Sequence, residues 1–86
     1  MLTLSEYNIL EAIIDKNNKT KGVIALYGTT KKEIEDKTSL SKTKIFTALQ
    51  KFENQGLVKK GLKQGNSNSY YLTEEGLLKL KEIKGM

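Results

Sequence analysis

Residues 40–60 read LSKTKIFTALQKFENQGLVKK, and the order of apolar and polar side chains in this stretch decides how the rest of the chain is read. Ile45, Ala48, Leu49 and Phe52 recur at i, i+3, i+4 and i+7, the spacing that lines one face of a helix. Ser41 stands where a hydroxyl accepts from the free N–H groups of a first turn, and Gly56 stands where helices commonly end in the left-handed conformation. The spacing therefore predicts a helix from Ser41 to about Gln55, with a strand after it from Leu57. With the apolar set turned inward, Thr43, Thr47, Gln50 and Asn54 lie on the opposite side, and Lys42, Lys44 and Lys51 surround them. The outer face is thus uncharged at its centre and basic at its edges. Phe46 falls between the two faces; partial burial against the preceding helix is the favoured reading, and an apolar contact with a bound partner the alternative.

Working outward, Thr30 and Glu33 form a capping-box pattern that opens a short helix over about Lys31 to Lys37, with Ile34 as its core residue and Thr38-Ser39-Leu40 as a tight turn. On the other side, Leu57–Lys63 and Ser69–Leu72 flank the turn-rich Gln64-Gly65-Asn66-Ser67-Asn68, which reads as a hairpin. Tyr70 and Tyr71 alternate on its return strand, so one is expected inside and one outside. Thr73-Glu74-Glu75 caps a last helix bearing Leu77, Leu78, Leu80 and Ile83 and ending near Gly85. At the other terminus Thr3 and Glu6 open a first helix from Leu4 to about Lys16 through Tyr7, Leu10, Ile13 and Ile14. Val23–Tyr27, bounded by Gly22 and Gly28, reads as a short strand.

The chain has 86 residues, no Cys and no His, which removes thiolate and imidazole metal ligands, disulfides, Cys nucleophiles and His bases. No paired acidic motif, Gly-rich phosphate loop or serine elbow replaces them, so no enzymatic activity, metal or cofactor is expected. One domain spanning 1–86 is the expectation, with no membrane span, no leader at Met1–Glu6 and a cytoplasmic location. The net charge of +5 is unevenly placed: residues 37–63 hold seven Lys against Glu53 alone, while the flanks are close to neutral. A basic stretch confined to one third of a small domain is the electrostatic footprint of a polyanion site.

Thr30-Lys31-Lys32-Glu33-Ile34, Leu40–Ile45, Leu49–Lys60 and Tyr71-Leu72-Thr73-Glu74-Glu75-Gly76 together resemble the winged helix-turn-helix DNA-binding proteins, especially the MarR-like and PadR-like branches. The resemblance implies an α+β, mainly α fold: a three-helix core, a two- to three-stranded β wing and a short C-terminal helix. It also implies sequence-specific binding of double-stranded DNA, as a small transcriptional repressor or a plasmid or phage DNA-site protein. The third helix would enter the major groove through Lys42, Thr43, Lys44, Thr47, Gln50 and Lys51, and the wing would meet backbone or minor groove through Lys59, Lys60, Lys63, Gly65 and Asn66. A homodimer is expected, with Leu4 and Ile9 of the first helix and the broad apolar face of the last as candidate surfaces, and no small-molecule ligand. MarR-like relatives dimerise through longer terminal helices, so their interface does not transfer. The competing reading is a winged-helix module that binds protein instead of DNA.

Overall fold

The computed structural model describes residues 2–15 and 17–84, with the side chains of residues 83 and 84 outside the description. In chain order it has α1 (Leu4–Ala12), a 3-10 turn (Ala25–Tyr27), β1 (Thr29–Thr30), α2 (Lys31–Thr38), α3 (Lys42–Asn54), β2 (Val58–Lys60), β3 (Ser69–Leu72) and α4 (Glu74–Lys84). Thr3, Thr30 and Ser41 cap the first three helices by accepting from the backbone N–H three residues on, and the Glu6 and Glu33 side chains complete reciprocal capping boxes. These contacts serve donors that a helix start leaves without intrahelical partners.

The core is one cluster at the meeting of the helices and the inner face of the sheet. Ile9, Leu10 and Ile13 meet Ile34, Ile45, Leu49 and Phe52, and the floor is made by Val58, Tyr70 and Leu72. The antiparallel sheet has the order β1-β3-β2, with Val58 opposite Leu72, Lys59 opposite Tyr71 and Lys60 opposite Tyr70. Tyr70 is buried and Tyr71 half-buried, as the alternation of the strand requires.

The end of α3 explains the spacing of the motifs. Gly56 has φ 76°, Leu57 N–H donates to the Phe52 carbonyl at 2.8 Å and Gly56 N–H to that of Glu53 at 3.1 Å, a Schellman arrangement that glycine adopts without a Cβ clash. The Thr73 hydroxyl then donates to the Gly56 carbonyl at 2.5 Å while accepting from Gly76 N–H at 3.1 Å, and Thr73 N–H donates to the Leu57 carbonyl at 3.0 Å. Gly56-Leu57 and Thr73–Gly76 are therefore one joint between α3, the hairpin and α4.

Several expectations are corrected. Val23–Tyr27 is not a strand: Gly22, at φ 79°, donates to the Tyr27 carbonyl at 2.7 Å and closes the segment into a loop containing the 3-10 turn. The third strand comes from Thr29–Thr30, and Ile24, Leu26 and Tyr27 are left exposed. Helix α1 stops at Ala12, because the Thr29 hydroxyl takes the Ile13 carbonyl at 2.5 Å and the Lys37 ammonium takes that of Ala12 at 3.1 Å. Carbonyls that would continue the helix are thus satisfied from outside it. Ile9 and Leu80 belong to the core and not to a free face. The apolar role of Ile83 and the helix end near Gly85 lie outside the described residues.

Candidate nucleic-acid interface

Helix α3 buries Ile45, Ala48, Leu49 and Phe52 and leaves Lys42, Thr43, Lys44, Thr47, Gln50 and Asn54 exposed, the two faces expected from the spacing. On one flank, Lys44 and Thr47 share a shallow groove with Thr3, Ser5 and Glu6 at the start of α1. On the other, Lys42, Thr43 and Phe46 line a wider groove with Lys31, Lys32 and Glu35 of α2 and Ser67 of the wing. Phe46 is 43% exposed, and the Lys31 ammonium lies 4.9 Å from its ring centroid. The partial burial of Phe46 expected against α2 takes the form of a cation–π contact with the first residue of that helix.

The lysines divide into two sets. Lys51 is bound across the core edge, its ammonium 2.9 Å from a Glu6 carboxylate oxygen on α1, and Lys37 holds the α1 carbonyls. Hydrogen bonds from the Thr3 backbone and from Lys51 hold the Glu6 carboxyl below its ordinary value of 4.5. Lys21 forms a second pair, 2.9 Å from Glu33; burial works to raise the Glu33 carboxyl, but the bonds from Lys21 and the Thr30 backbone outweigh it and hold it low. Lys37 is nonetheless exposed, as are Lys32, Lys42, Lys44, Lys59, Lys60 and Lys63.

Lys31 and Lys32 belong to this surface although they were not among the sequence-predicted contacts. They lie in the near-neutral first part of the chain, so segment charge hid them; their place at the start of α2, within the helix-turn-helix, was the available signal. Their position is also costly. A helix start carries partial positive charge that disfavours cations by about 0.3–1 kcal/mol each. The first turns of α1 and α4 carry Glu6 and Glu74 with Glu75; that of α2 carries Glu33 together with Lys31-Lys32, and that of α3 has no acid. Lys31 and Lys32 from one helix start and Lys42 from the next therefore line one groove.

The wing is held more tightly than a five-residue polar loop suggests. Gln64 and Ser67 exchange backbone hydrogen bonds at 2.9 and 3.1 Å around Gly65-Asn66, with Gly65 at φ 64°, the pattern of a two-residue II′ turn. The Gln64 side-chain amide donates to the Gly28 carbonyl at 2.8 Å, Leu62 N–H to that of Ala25 at 2.9 Å, and the Ser69 hydroxyl to that of Leu62 at 2.6 Å. Lys63, Gly65 and Asn66 stay exposed beyond this anchor, while Lys59 and Lys60 stand lower, on β2. Among the described residues no group of carboxylates is placed to hold a metal ion, and no helix is long and apolar enough to cross a membrane.

Three helices with a helix-turn-helix at α2–α3 and a three-stranded wing define a winged helix-turn-helix protein. No family model and no curated protein matches the chain. Among solved structures, the DNA-binding TubR fragment from Clostridium botulinum is 30% identical with TM-score 0.73, over 96% of this chain and 98% of that one. The chain belongs to the same family of winged-helix proteins as that fragment. TubR from Bacillus megaterium pBM400 matches 99% of this chain and 89% of its own, at 21% identity and TM-score 0.80. BpsR of Bordetella bronchiseptica, whose DNA binding is regulated by 6-hydroxynicotinic acid, has the same fold at 13% identity and TM-score 0.75. This chain covers 98% of itself but only 53% of BpsR, about half that regulator's length.

Proposed function

We propose that the chain binds double-stranded DNA in a sequence-specific manner, as a small repressor or a plasmid or phage DNA-site protein, with α3 in the major groove and the wing on backbone or minor groove. The observation that carries this reading is the outer face of α3. Thr43, Thr47 and Gln50 are free to meet base edges, and Lys42 and Lys44 flank them where the helix dipole alone would favour acids. Lys31 and Lys32 extend the same basic rim, and Lys63 with Gly65 and Asn66 extends it onto the wing. DNA binding by the TubR fragment supports the assignment. Lys51, paired with Glu6, serves here to fix α3 against α1.

The test is a titration on duplex DNA from low to physiological salt. With four to six phosphate contacts per protomer, log K is expected to fall with log salt at a slope of roughly −4 to −5. A flat response, or no binding at low salt, transfers the weight to the protein-interaction reading, which the exposed Ile24, Leu26, Tyr27 and Leu62 beside the wing favour. We also propose a homodimer: Leu4 and Leu78 remain exposed on α1 and α4, and two-fold symmetric sites suit paired recognition helices. Sedimentation that finds a monomer at micromolar concentration removes that part.

A further inference from the structure

Phe46 is the large apolar side chain on the exposed strip of α3. It lies three residues after Thr43 and four before Gln50, so these three share one side of the helix. It is neither in the buried cluster nor among the partly buried residues packed against it, and at 43% exposure its ring forms a wall of the groove between α2, α3 and the wing. The other side chains of that groove are polar or charged, with Lys31, Lys32 and Lys42 outnumbering Glu35. Lys31 steadies the ring from one face, 4.9 Å from its centroid. A phosphate is repelled by the face of an aromatic ring, and a base-edge donor gains at most a weak N–H···π contact there. The apolar group that a base pair offers in the major groove is the 5-methyl of thymine.

We propose that Phe46 is a specificity-determining residue that reads the thymine 5-methyl at one position of the DNA site, the surrounding lysines holding the adjacent phosphates. This deepens the duplex-DNA reading and rests on it. Burying one methyl against a ring accounts for a change of about three- to tenfold in affinity, enough to set a base preference beside neighbouring hydrogen bonds.

The experiment uses the intact chain and a duplex selected from random DNA for binding to it. Each thymine is replaced in turn by deoxyuridine, which lacks only the methyl and keeps the pairing and the groove acceptors. The wild-type protein is expected to lose roughly three- to tenfold at one or two thymines and little elsewhere. Phe46→Ala should bind the thymine duplex more weakly and be indifferent to the swap at those positions, and Phe46→Leu should keep part of the preference. Because Phe46 lies outside the core, both variants should melt close to wild type. The wild-type swap needs no variant at all. If no thymine methyl matters to the wild type, or Phe46→Ala discriminates as well as wild type, the inference is overturned while DNA binding stands. Failure to select any duplex overturns the DNA reading itself and this inference with it.

Discussion

Thr47 and Gln50 on one side and Lys44 on the other differ in what they can tell a duplex. An uncharged side chain on the exposed face of α3 gains only where a matching base edge meets it, whereas an ammonium is attracted to any phosphate. Thr47→Ala or Gln50→Ala should cost about 1–3 kcal/mol on the cognate site and little on random DNA. Lys44→Ala should weaken both. Binding isotherms on the two DNAs decide it, and equal losses for the Thr and Gln variants would mean that this face does not read bases. Ser39 poses a different residue-scale question, because it ends α2 at φ 60°, in the left-handed region, without being glycine. Its N–H donates to the Glu35 carbonyl, so the conformation is held by the end of the helix. Ser39→Val should destabilise by about 1–2 kcal/mol in denaturant unfolding, since a β-branched side chain crowds the backbone there. Ser39→Gly should be neutral or stabilising; a large loss for glycine would show that the Ser side chain itself matters.

At the scale of elements, the start of α3 opposes its own helix dipole, whereas the first turn of α2 balances Lys31 and Lys32 with Glu33. The first turn of α3 carries Lys42 and Lys44 and no acid, while α1 and α4 start with glutamates. Lys42→Glu should therefore stabilise the fold by roughly 0.3–1 kcal/mol at low salt, visible as a melting temperature a few degrees higher. The same change should lower affinity for duplex DNA by about tenfold or more, since it turns one phosphate attraction into a repulsion. Higher stability with lower affinity is the mark of a charge kept for binding. A fall in melting temperature would show that Lys42 has a structural partner instead.

At the scale of the molecule, two ion pairs among the described residues tie separate parts of the chain together. Glu6–Lys51 joins α1 to α3, and Glu33–Lys21 joins α2 to the connector after α1. Both carboxyls are held below 4.5 in the fold, so each contributes stability that is present above that value and is lost as pH falls through the folded value. Melting temperature should therefore hold from pH 7 to about 5 and decline below 4.5, as both glutamates take up protons. Glu6→Gln should melt lower at neutral pH and show a shallower decline on acidification. An unchanged acid profile in Glu6→Gln would assign the acid sensitivity to other groups.

What the sequence determined by itself was everything that depends on local spacing. The apolar set Ile45, Ala48, Leu49 and Phe52 settled the faces of α3, the hydroxyls of Thr3, Thr30 and Ser41 settled where three helices start, and Gly56 settled where α3 stops. These are interactions between residues three or four apart, and a linear reading contains them. The tertiary structure decided the rest. It ended α1 at Ala12 by bringing Thr29 and Lys37 to its carbonyls, and it replaced the expected strand at Val23–Tyr27 by Thr29–Thr30 pairing with β3. It also sorted one run of lysines into those bound internally, such as Lys37 and Lys51, and those facing outward, and it brought Lys31 and Lys32 of a neutral stretch to the same groove as Lys42 and Phe46. The physical reason is that an ion pair or a shared groove is fixed by distance in space, and partners such as Glu6 and Lys51, 45 positions apart, leave no periodic trace along the chain.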